Sequence, residues 1–434
     1  MSLLGKTFQT LVTKILLAVV SLLGSVLIVR VVGAEGQGVL ATVYAFFMII
    51  STIFFLSLGS SMIYHINHTG DSEKYFSASL IMYFALTGLT ILLTIVFIDV
   101  IQVYILKDLN LQYLYLGWAL ISANNLGKIS SAICRATHNS NLFNSILVLQ
   151  RLGYFLPILI GYLLSFKIDT ISVIWVFLIS TFISNLVAIV VNRKFFSFRK
   201  IEFNSMRQLL SFSGKGHIGV MIQVINTKID ILILNALLTN PQVGYYSIAV
   251  LFAQLVWYVP DSVATFLYPK ISKFNNTHKS LELTMRINRI VLFVSIIIAF
   301  IIFYISPYLI PAIYPEDFKN SIYAIQLLII GVAIYSINKI LTKFFTGTGR
   351  PIVGSIISLI GLFVNIPLLV YLIPEYGING AAIASTVAYS VMGLCAIFAL
   401  KYLHPNVRVT SVLLINKTDV KYLYSVLVKI FHRK

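Results

Sequence analysis

Residues 11–38 read LVTKILLAVVSLLGSVLIVRVVGAEGQG. From Leu11 to Val32 the stretch is apolar over the roughly 20 residues that an α-helix, rising about 1.5 Å per residue, needs to cross hydrocarbon. It ends in Gly33-Ala-Glu-Gly36-Gln-Gly38, a polar glycine-rich turn, and a second apolar run follows at once. No strand precedes these glycines, so they join two membrane helices and do not form a dinucleotide-binding loop. The first run has no small-residue cleavage site, so it is expected to remain as a span and not to be a removed leader.

Working outward, the same pattern fills the chain. Spanning helices are predicted over 10–31, 39–65, 76–98, 111–133, 143–165, 171–192, 214–238, 244–268, 286–310, 321–345, 352–373 and 378–402, twelve in all. Short turns such as Asn139-Ser-Asn141, Asn240-Pro241 and Gly347-Thr-Gly349-Arg-Pro351 separate them. The composition agrees: of 434 residues, 59% are hydrophobic and 11% charged, with mean hydropathy +0.93. Soluble domains have roughly 45–50% apolar and about 25% charged residues. A water-soluble fold is excluded, and so is disorder, which needs low hydrophobicity. Lipid admits only helices or closed barrels, and apolar runs of this length are not barrel strands. The fold class is therefore an all-α polytopic membrane protein. Cys134 and Cys395 offer neither a disulfide framework nor metal-ligand spacing.

The net charge of +18, from 32 Lys+Arg against 14 Asp+Glu, is mostly topology. Twelve spans put both termini on one side. That side holds Lys6, Lys74, Arg135, the basic run from Arg193 to Lys215, the group from Lys270 to Arg289, Arg350, and the basic residues from Lys401 onward. The other side holds only Arg30, Lys107, Lys167 and Lys319. Positive charge stays in the cytoplasm, so both termini are expected there. The charge therefore gives no sign of a nucleic-acid partner. The outer loops are too short for the large extramembrane domain of a membrane polysaccharide polymerase or ligase.

The chain also resembles itself at half-length. Gly38 opens the second predicted helix and Gly244 the eighth, an offset of 206. Asn144-Ser145-Ile146 aligns with Gly354-Ser355-Ile356, Pro157 with Pro367, and Ser180-Thr181 with Ser385-Thr386. Six helices per half give both halves one orientation, a parallel repeat with a site between the halves near the midplane. The expected division is a lobe over 1–192, an amphipathic cytoplasmic linker over 193–213, a lobe over 214–402 and a basic amphipathic tail over 403–434. Linker and tail are expected to lie on anionic membrane lipids.

Three stretches carry a resemblance to a known family: Arg30-Val-Val-Gly33-Ala-Glu-Gly36-Gln-Gly38; Asp230-Ile-Leu-Ile-Leu-Asn235 followed by Val243-Gly244-Tyr245-Tyr-Ser247; and Tyr376-Gly377-Ile378-Asn-Gly380-Ala-Ala-Ile-Ala-Ser385. They resemble the O-antigen and capsule oligosaccharide flippases, in the superfamily that also holds multidrug extruders and the lipid II flippase. The resemblance covers residues 1–402. It implies two six-helix lobes around a central cavity in a bacterial plasma (inner) membrane. It also implies flipping of undecaprenyl-diphosphate-linked oligosaccharide for O-antigen, capsule or exopolysaccharide assembly. Polymerase and glycosyltransferases of the same pathway are the implied partners. Twelve helices plus a tail are expected to differ from lipid II flippases by one helix pair.

Charges inside the spans locate the candidate site. Lys14, Lys128, Arg151, Lys228, Lys339 and Lys343 are basic; Asp230 and Asp261 are acidic. Each costs at least about 2.5–3.5 kcal/mol at the bilayer centre, so such residues face a wet cavity or one another. Lys343 lies near its helix end and snorkels; Lys14 and Lys128 either snorkel or line the cavity. Arg151, Lys228 and Lys339 sit deeper. They either line a cationic cavity that holds a diphosphate by charge-assisted hydrogen bonds, or form buried ion pairs, with Asp261 and Lys339 at matching depth. Asn124, Asn125, Gln150, Gln223, Asn226, Tyr154 and Trp257 are the candidate sugar contacts, or else packing residues. Asp230 and Asp261 either couple flipping to a H+ or Na+ gradient, by alternating between protonated and ionised forms, or serve as salt-bridge partners.

The competing function of the same fold is multidrug extrusion, whose cationic substrates suit an acidic cavity better. No cofactor, metal or catalytic set is expected. His65 and His68 lack further ligands nearby, and Gly214-Lys215 is not a phosphate-binding loop.

Overall fold

The computed structural model describes residues 3–106, 109–272, 277–416 and 418–419. Regular structure among them is helical: α1 (Leu3–Phe55), α2 (Leu58–Thr69), α3 (Ser72–Val96), α4 (Ile98–Tyr104), α5 (Leu111–Ala136), α6 (Ser140–Leu163), α7 (Thr170–Val191), α8 (Phe203–Asn226), α9 (Ile229–Leu237), α10 (Asn240–Ser272), α11 (Thr277–Ile313), α12 (Ser321–Gly347), α13 (Pro351–Leu403) and α14 (Val409–Leu413). Short 3₁₀ turns occupy Arg193–Phe195, Phe198–Lys200 and Glu316–Asn320. Of the basic amphipathic tail expected over 403–434, residues 417 and 420–434 fall outside the described residues.

Two of the longest helices are pairs broken at a glycine. Gly33 interrupts α1 (φ 68°, ψ −171°) and Gly377 interrupts α13 (φ 56°, ψ −134°). Both lie in left-handed territory that a Cβ disfavours, so the polar turns read in the sequence become breaks without a loop. Among the described residues eight helical stretches are long and apolar enough to cross a membrane, and α8 with α9, bent by 42°, makes a ninth. The stretches broken at Gly33 and Gly377 supply two spans each. α5 completes the predicted twelve, although Asn124, Asn125 and Lys128 in its middle keep it out of the apolar set. The protein is an all-α, multi-pass membrane protein.

Several boundaries differ from expectation: α11 begins at Thr277, not near 286, and breaks at Leu56–Ser57 and Thr227–Lys228 divide the helices expected over 39–65 and 214–238. α8 begins at Phe203, not near 214. Leu209 is fully buried and Met206 packs against a core of Phe55, Leu58, Met62, Phe76, Ile129 and Ile133. Ser61 Oγ donates to the Leu209 carbonyl at 2.9 Å. Part of the apolar side of a segment read as lying on lipid, Leu209 and Met206, thus packs into the protein against α2, α3 and α5, while Leu210 stays exposed.

By packing, the chain forms two compact units: Met1–Ser247 with Pro311–Lys319, and Ile248–Ile310 with Asn320–Lys434. In the first, α1 meets the start of α10 at a close crossing. A Cβ on Gly38 would lie 1.8 Å from the Asn240 carbonyl oxygen, and one on Gly244 would lie 2.1 Å from that of Ala34. These contacts are reciprocal, since Ala34 and Asn240 stand at the same offset of 206 as Gly38 and Gly244. Gln37 Nε2 donates to Ser247 Oγ at 3.0 Å and Thr42 Oγ1 to Asn235 Oδ1 at 3.2 Å beside it. In the second unit α12 packs along α13 and is the most enclosed of the apolar spans.

Candidate functional site

α5 presents Asn124, Lys128, Ser131 and Arg135 at spacings of four, three and four, which places them on one helix face. In the first unit this face looks onto a cavity of about 400 Å³. Tyr44, Met48, Ser51 and Thr52 of α1, Phe143, Ile146, Leu147 and Gln150 of α6, and Thr181 and Asn185 of α7 form its other walls. Among the described residues two cations line it, Lys128 and Arg135, and no carboxylate does.

Lys128 is anchored by neutral oxygens. Its Nζ donates to Ser51 Oγ at 2.9 Å, to Asn125 Oδ1 at 3.2 Å and to the Ser51 carbonyl at 3.4 Å, and it sits 5.1 Å from the Phe55 ring centroid. Asn125 is fully buried; it also accepts from Ser51 Oγ at 2.7 Å and donates to Thr87 Oγ1 at 3.2 Å. Its carboxamide is thus committed to holding Lys128. Gln150 Nε2 donates to Thr181 Oγ1 at 3.1 Å, and the Gln150 carbonyl accepts from Ser180 Oγ at 2.7 Å.

Tyr44 connects this cavity to two further cations. Lys228 Nζ lies 5.7 Å from its ring centroid, and the Arg151 guanidinium is close enough to act on its phenol electrostatically. Arg151 is exposed and donates from Nη1 to Tyr154 Oη at 3.3 Å. The Tyr154 ring itself is buried and stacks on Phe177 at 4.3 Å, so it is a packing residue whose hydroxyl orients Arg151. Lys228 occupies the break between α8 and α9, and Asp230 lies in the first turn of α9. There the helix N-terminus favours a carboxylate. Asp230 is buried, accepts from Tyr246 Oη at 2.7 Å and takes the Ile231 N–H at 2.9 Å. Asn226 is buried near the break and Gln223 is exposed one turn before it.

In the second unit Lys339 is paired. Its Nζ lies 2.6 Å from Asp261 Oδ1 and 4.3 Å from the Trp257 ring centroid. Trp257, Tyr335 and Tyr389 form an aromatic group with centroids 5.0–5.7 Å apart, and the buried Trp257 Nε1–H has no hydrogen-bond partner. The ion pair read from matching depth is therefore present. The side chain of Lys14 lies outside the described residues.

The structure thus gathers Lys128, Asn124 and Gln150 in one cavity, sets Arg151 and Lys228 about Tyr44, and groups Lys339, Asp261 and Trp257 elsewhere. Sequence reasoning missed Arg135, which it assigned to the cytoplasmic rim, although the α5 spacing carries that signal. It also missed Tyr44, Ser51 and Tyr246, which nothing in an apolar helix distinguishes from packing residues. Among the described residues no group of three or more His, Cys, Asp or Glu is placed to hold a metal ion.

Comparison with known proteins bears on this architecture. Residues 3–275 match the family described as polysaccharide biosynthesis protein. The probable low-salt glycan biosynthesis flippase Agl15 of Haloferax volcanii is 21% identical over 198 residues, 45% of this chain and 42% of that protein. An uncharacterized membrane protein of Methanocaldococcus jannaschii, MJ1068, is 26% identical over 167 residues, 38% of this chain and 33% of that protein. The matched stretch thus spans less than half the length of either relative. The lipid II flippase MurJ, in an inward closed conformation, superposes with TM-score 0.76 at 16% identity, covering 98% of this chain and 94% of MurJ. An inward-facing MATE multidrug transporter superposes with TM-score 0.71 at 13% identity, covering 90% and 96%. At these identities the likeness is one of fold. With the family match covering well over half of its length, the chain belongs to the polysaccharide biosynthesis protein family.

Proposed function

We propose that this protein flips a lipid-linked glycan, an undecaprenyl-diphosphate-linked oligosaccharide repeat unit for O-antigen, capsule or exopolysaccharide assembly, across a bacterial plasma membrane. The observation that carries the reading is the cavity lined by Lys128 and Arg135 and, among the described residues, by no carboxylate. A diphosphate leaving water needs positive charge close by, and Lys128, already held by Ser51 and Asn125, supplies that charge without ordering cost. Arg151 and Lys228 extend the positive field beside Tyr44. Lys339, paired with Asp261 in the second unit, and Lys14, the cation of the first span, stay in the proposal as further cations. Both the family match and the glycan flippase relative support this reading. A cationic drug would be repelled from the same cavity, which disfavours multidrug extrusion.

Transport proceeds by alternating access between the repeats 1–192 and 214–402, with both termini cytoplasmic and substrate handed on by glycosyltransferases and received by a polymerase. Asp230 and Asp261 are the proposed sites of H+ or Na+ coupling. The test is flipping of a fluorescent polyprenyl-diphosphate glycan in proteoliposomes. Lys128→Gln and Arg135→Gln each reduce the rate by about tenfold or more, the worth of one charge-assisted hydrogen bond. Full activity in both, and in Arg151→Ala with Lys228→Ala and Lys339→Ala, refutes the cavity assignment. Unchanged dependence on ion gradients in Asp230→Asn and Asp261→Asn refutes the coupling.

A further inference from the structure

We propose that Tyr44 and Asn124 form the subsite for the first sugar of the glycan, the pyranose bonded directly to the diphosphate. This rests on the flippase reading above and assigns a ligand to a part of the cavity that the phosphate chemistry does not use.

The argument starts from exposure. On α1, Val43, Ala45, Phe46 and Phe47 are buried, whereas Tyr44 between them is 47% exposed and lines the cavity. Its hydroxyl makes no hydrogen bond to the described residues. A phenol held at membrane depth without a partner is costly unless water or a ligand meets it. Asn124 is in the same position. It lines the cavity, and its carboxamide makes no hydrogen bond to the described residues. The next residue, Asn125, is spent entirely on Ser51, Thr87 and Lys128. Of two adjacent asparagines, one therefore builds the site and the other is left open to it.

The chemistry of a pyranose fits these two groups. One face of the ring presents C–H bonds whose slightly positive hydrogens pack on the negative face of an aromatic ring. Its edge presents hydroxyl or acetamido groups, which a carboxamide meets as donor and acceptor together. Position follows from covalent structure, because a single oxygen joins the first sugar to the diphosphate. Tyr44 stands among the cations that attract that diphosphate: Lys128 in the same cavity and Lys228 at 5.7 Å from the ring. A phosphate held by either of them brings the first sugar against Tyr44.

The test compares two probes on the full chain in nanodiscs: polyprenyl diphosphate bearing one N-acetylated hexose, and bare polyprenyl diphosphate. Tyr44→Leu and Asn124→Ala each weaken binding of the sugar-bearing lipid by about tenfold, the worth of one stacked ring or one hydrogen-bonded amide. Both leave the bare lipid unchanged, and Tyr44→Phe retains most of the affinity for the sugar-bearing one. Equal weakening for both probes overturns the proposal, since Tyr44 would then act only through Lys228. No weakening for either probe overturns it as well. If neither probe binds the unaltered protein, the flippase reading falls and takes the subsite with it. If both bind and only Lys128→Gln matters, the flippase reading stands and the subsite falls.

Discussion

The Gly38–Gly244 crossing permits a worked prediction. Replacing Gly38 by Ala puts a methyl group 1.8 Å from the Asn240 carbonyl oxygen, where ordinary contact begins at 3.4 Å. The helices must part by about 1.6 Å to admit it, and overpacking of this kind costs about 1–3 kcal/mol or more. Helix propensity pulls the other way, since Ala is better than Gly by about 1 kcal/mol in a helix interior. Sterics therefore win narrowly or clearly, and the net effect is destabilising. Gly244→Ala, at 2.1 Å from the Ala34 oxygen, behaves alike. Because both methyls open one seam, the double variant costs less than the sum of the singles, a coupling that a double-mutant cycle reads directly. Gly88→Ala is the control: nothing lies within 4 Å of its Cβ position, so it is neutral or stabilising. The assay is thermal unfolding of the purified protein in one detergent, read at a fixed scan rate because membrane proteins of this size unfold irreversibly. A Gly38→Ala protein as stable as Gly88→Ala refutes the reasoning, and strictly additive single effects refute the shared seam.

Other predictions concern the ion pairs of the second unit. Arg289 clasps Asp419 with two hydrogen bonds, 2.7 and 2.8 Å, and donates to the Ser411 carbonyl, tying the segment around α14 to α11. Asp419 is fully buried, so Asp419→Ala strands a buried guanidinium and costs about 3–5 kcal/mol locally, read as accelerated proteolysis of residues 408–419. Burial pushes the Asp419 carboxyl up, but Arg289, the Asn416 amide and Arg286 outweigh it and hold the group below its usual value. The clasp is then at full strength above the ordinary aspartate value near pH 4 and weakens as pH falls from there through the folded one. Asp419→Asn removes that acid dependence. For Lys339 and Asp261, the carboxylate is 57% exposed and the lysine 11%. Asp261→Asn therefore costs less than about 1 kcal/mol, whereas Lys339→Met costs more, because it also loses the contact over Trp257. An Asp261 effect exceeding the Lys339 effect contradicts this ordering.

The sequence by itself determined the all-α membrane class and the breaks at Gly33 and Gly377, but not those at Leu56–Ser57 and Thr227–Lys228, inside helices it read as continuous. Apolar length and glycine position are local properties: each helix satisfies its own backbone hydrogen bonds, and Gly33 and Gly377 bend the chain wherever it packs. The matching positions of Gly38 and Gly244, 206 residues apart, were legible too. Only the tertiary structure showed that these glycines touch, because an offset says nothing of distance. The same holds for the candidate site. The buried charges could be named from the chain, and the depth of Asp261 and Lys339 foretold their pairing. That Asn125 holds Lys128 while Asn124 stays open, that Arg135 lines the cavity, and that Tyr44 gathers cations from α6 and the α8–α9 break depended on which faces of separate helices meet. That choice is made by packing between residues far apart in sequence, and hydropathy, which treats every face of an apolar helix alike, carries no record of it.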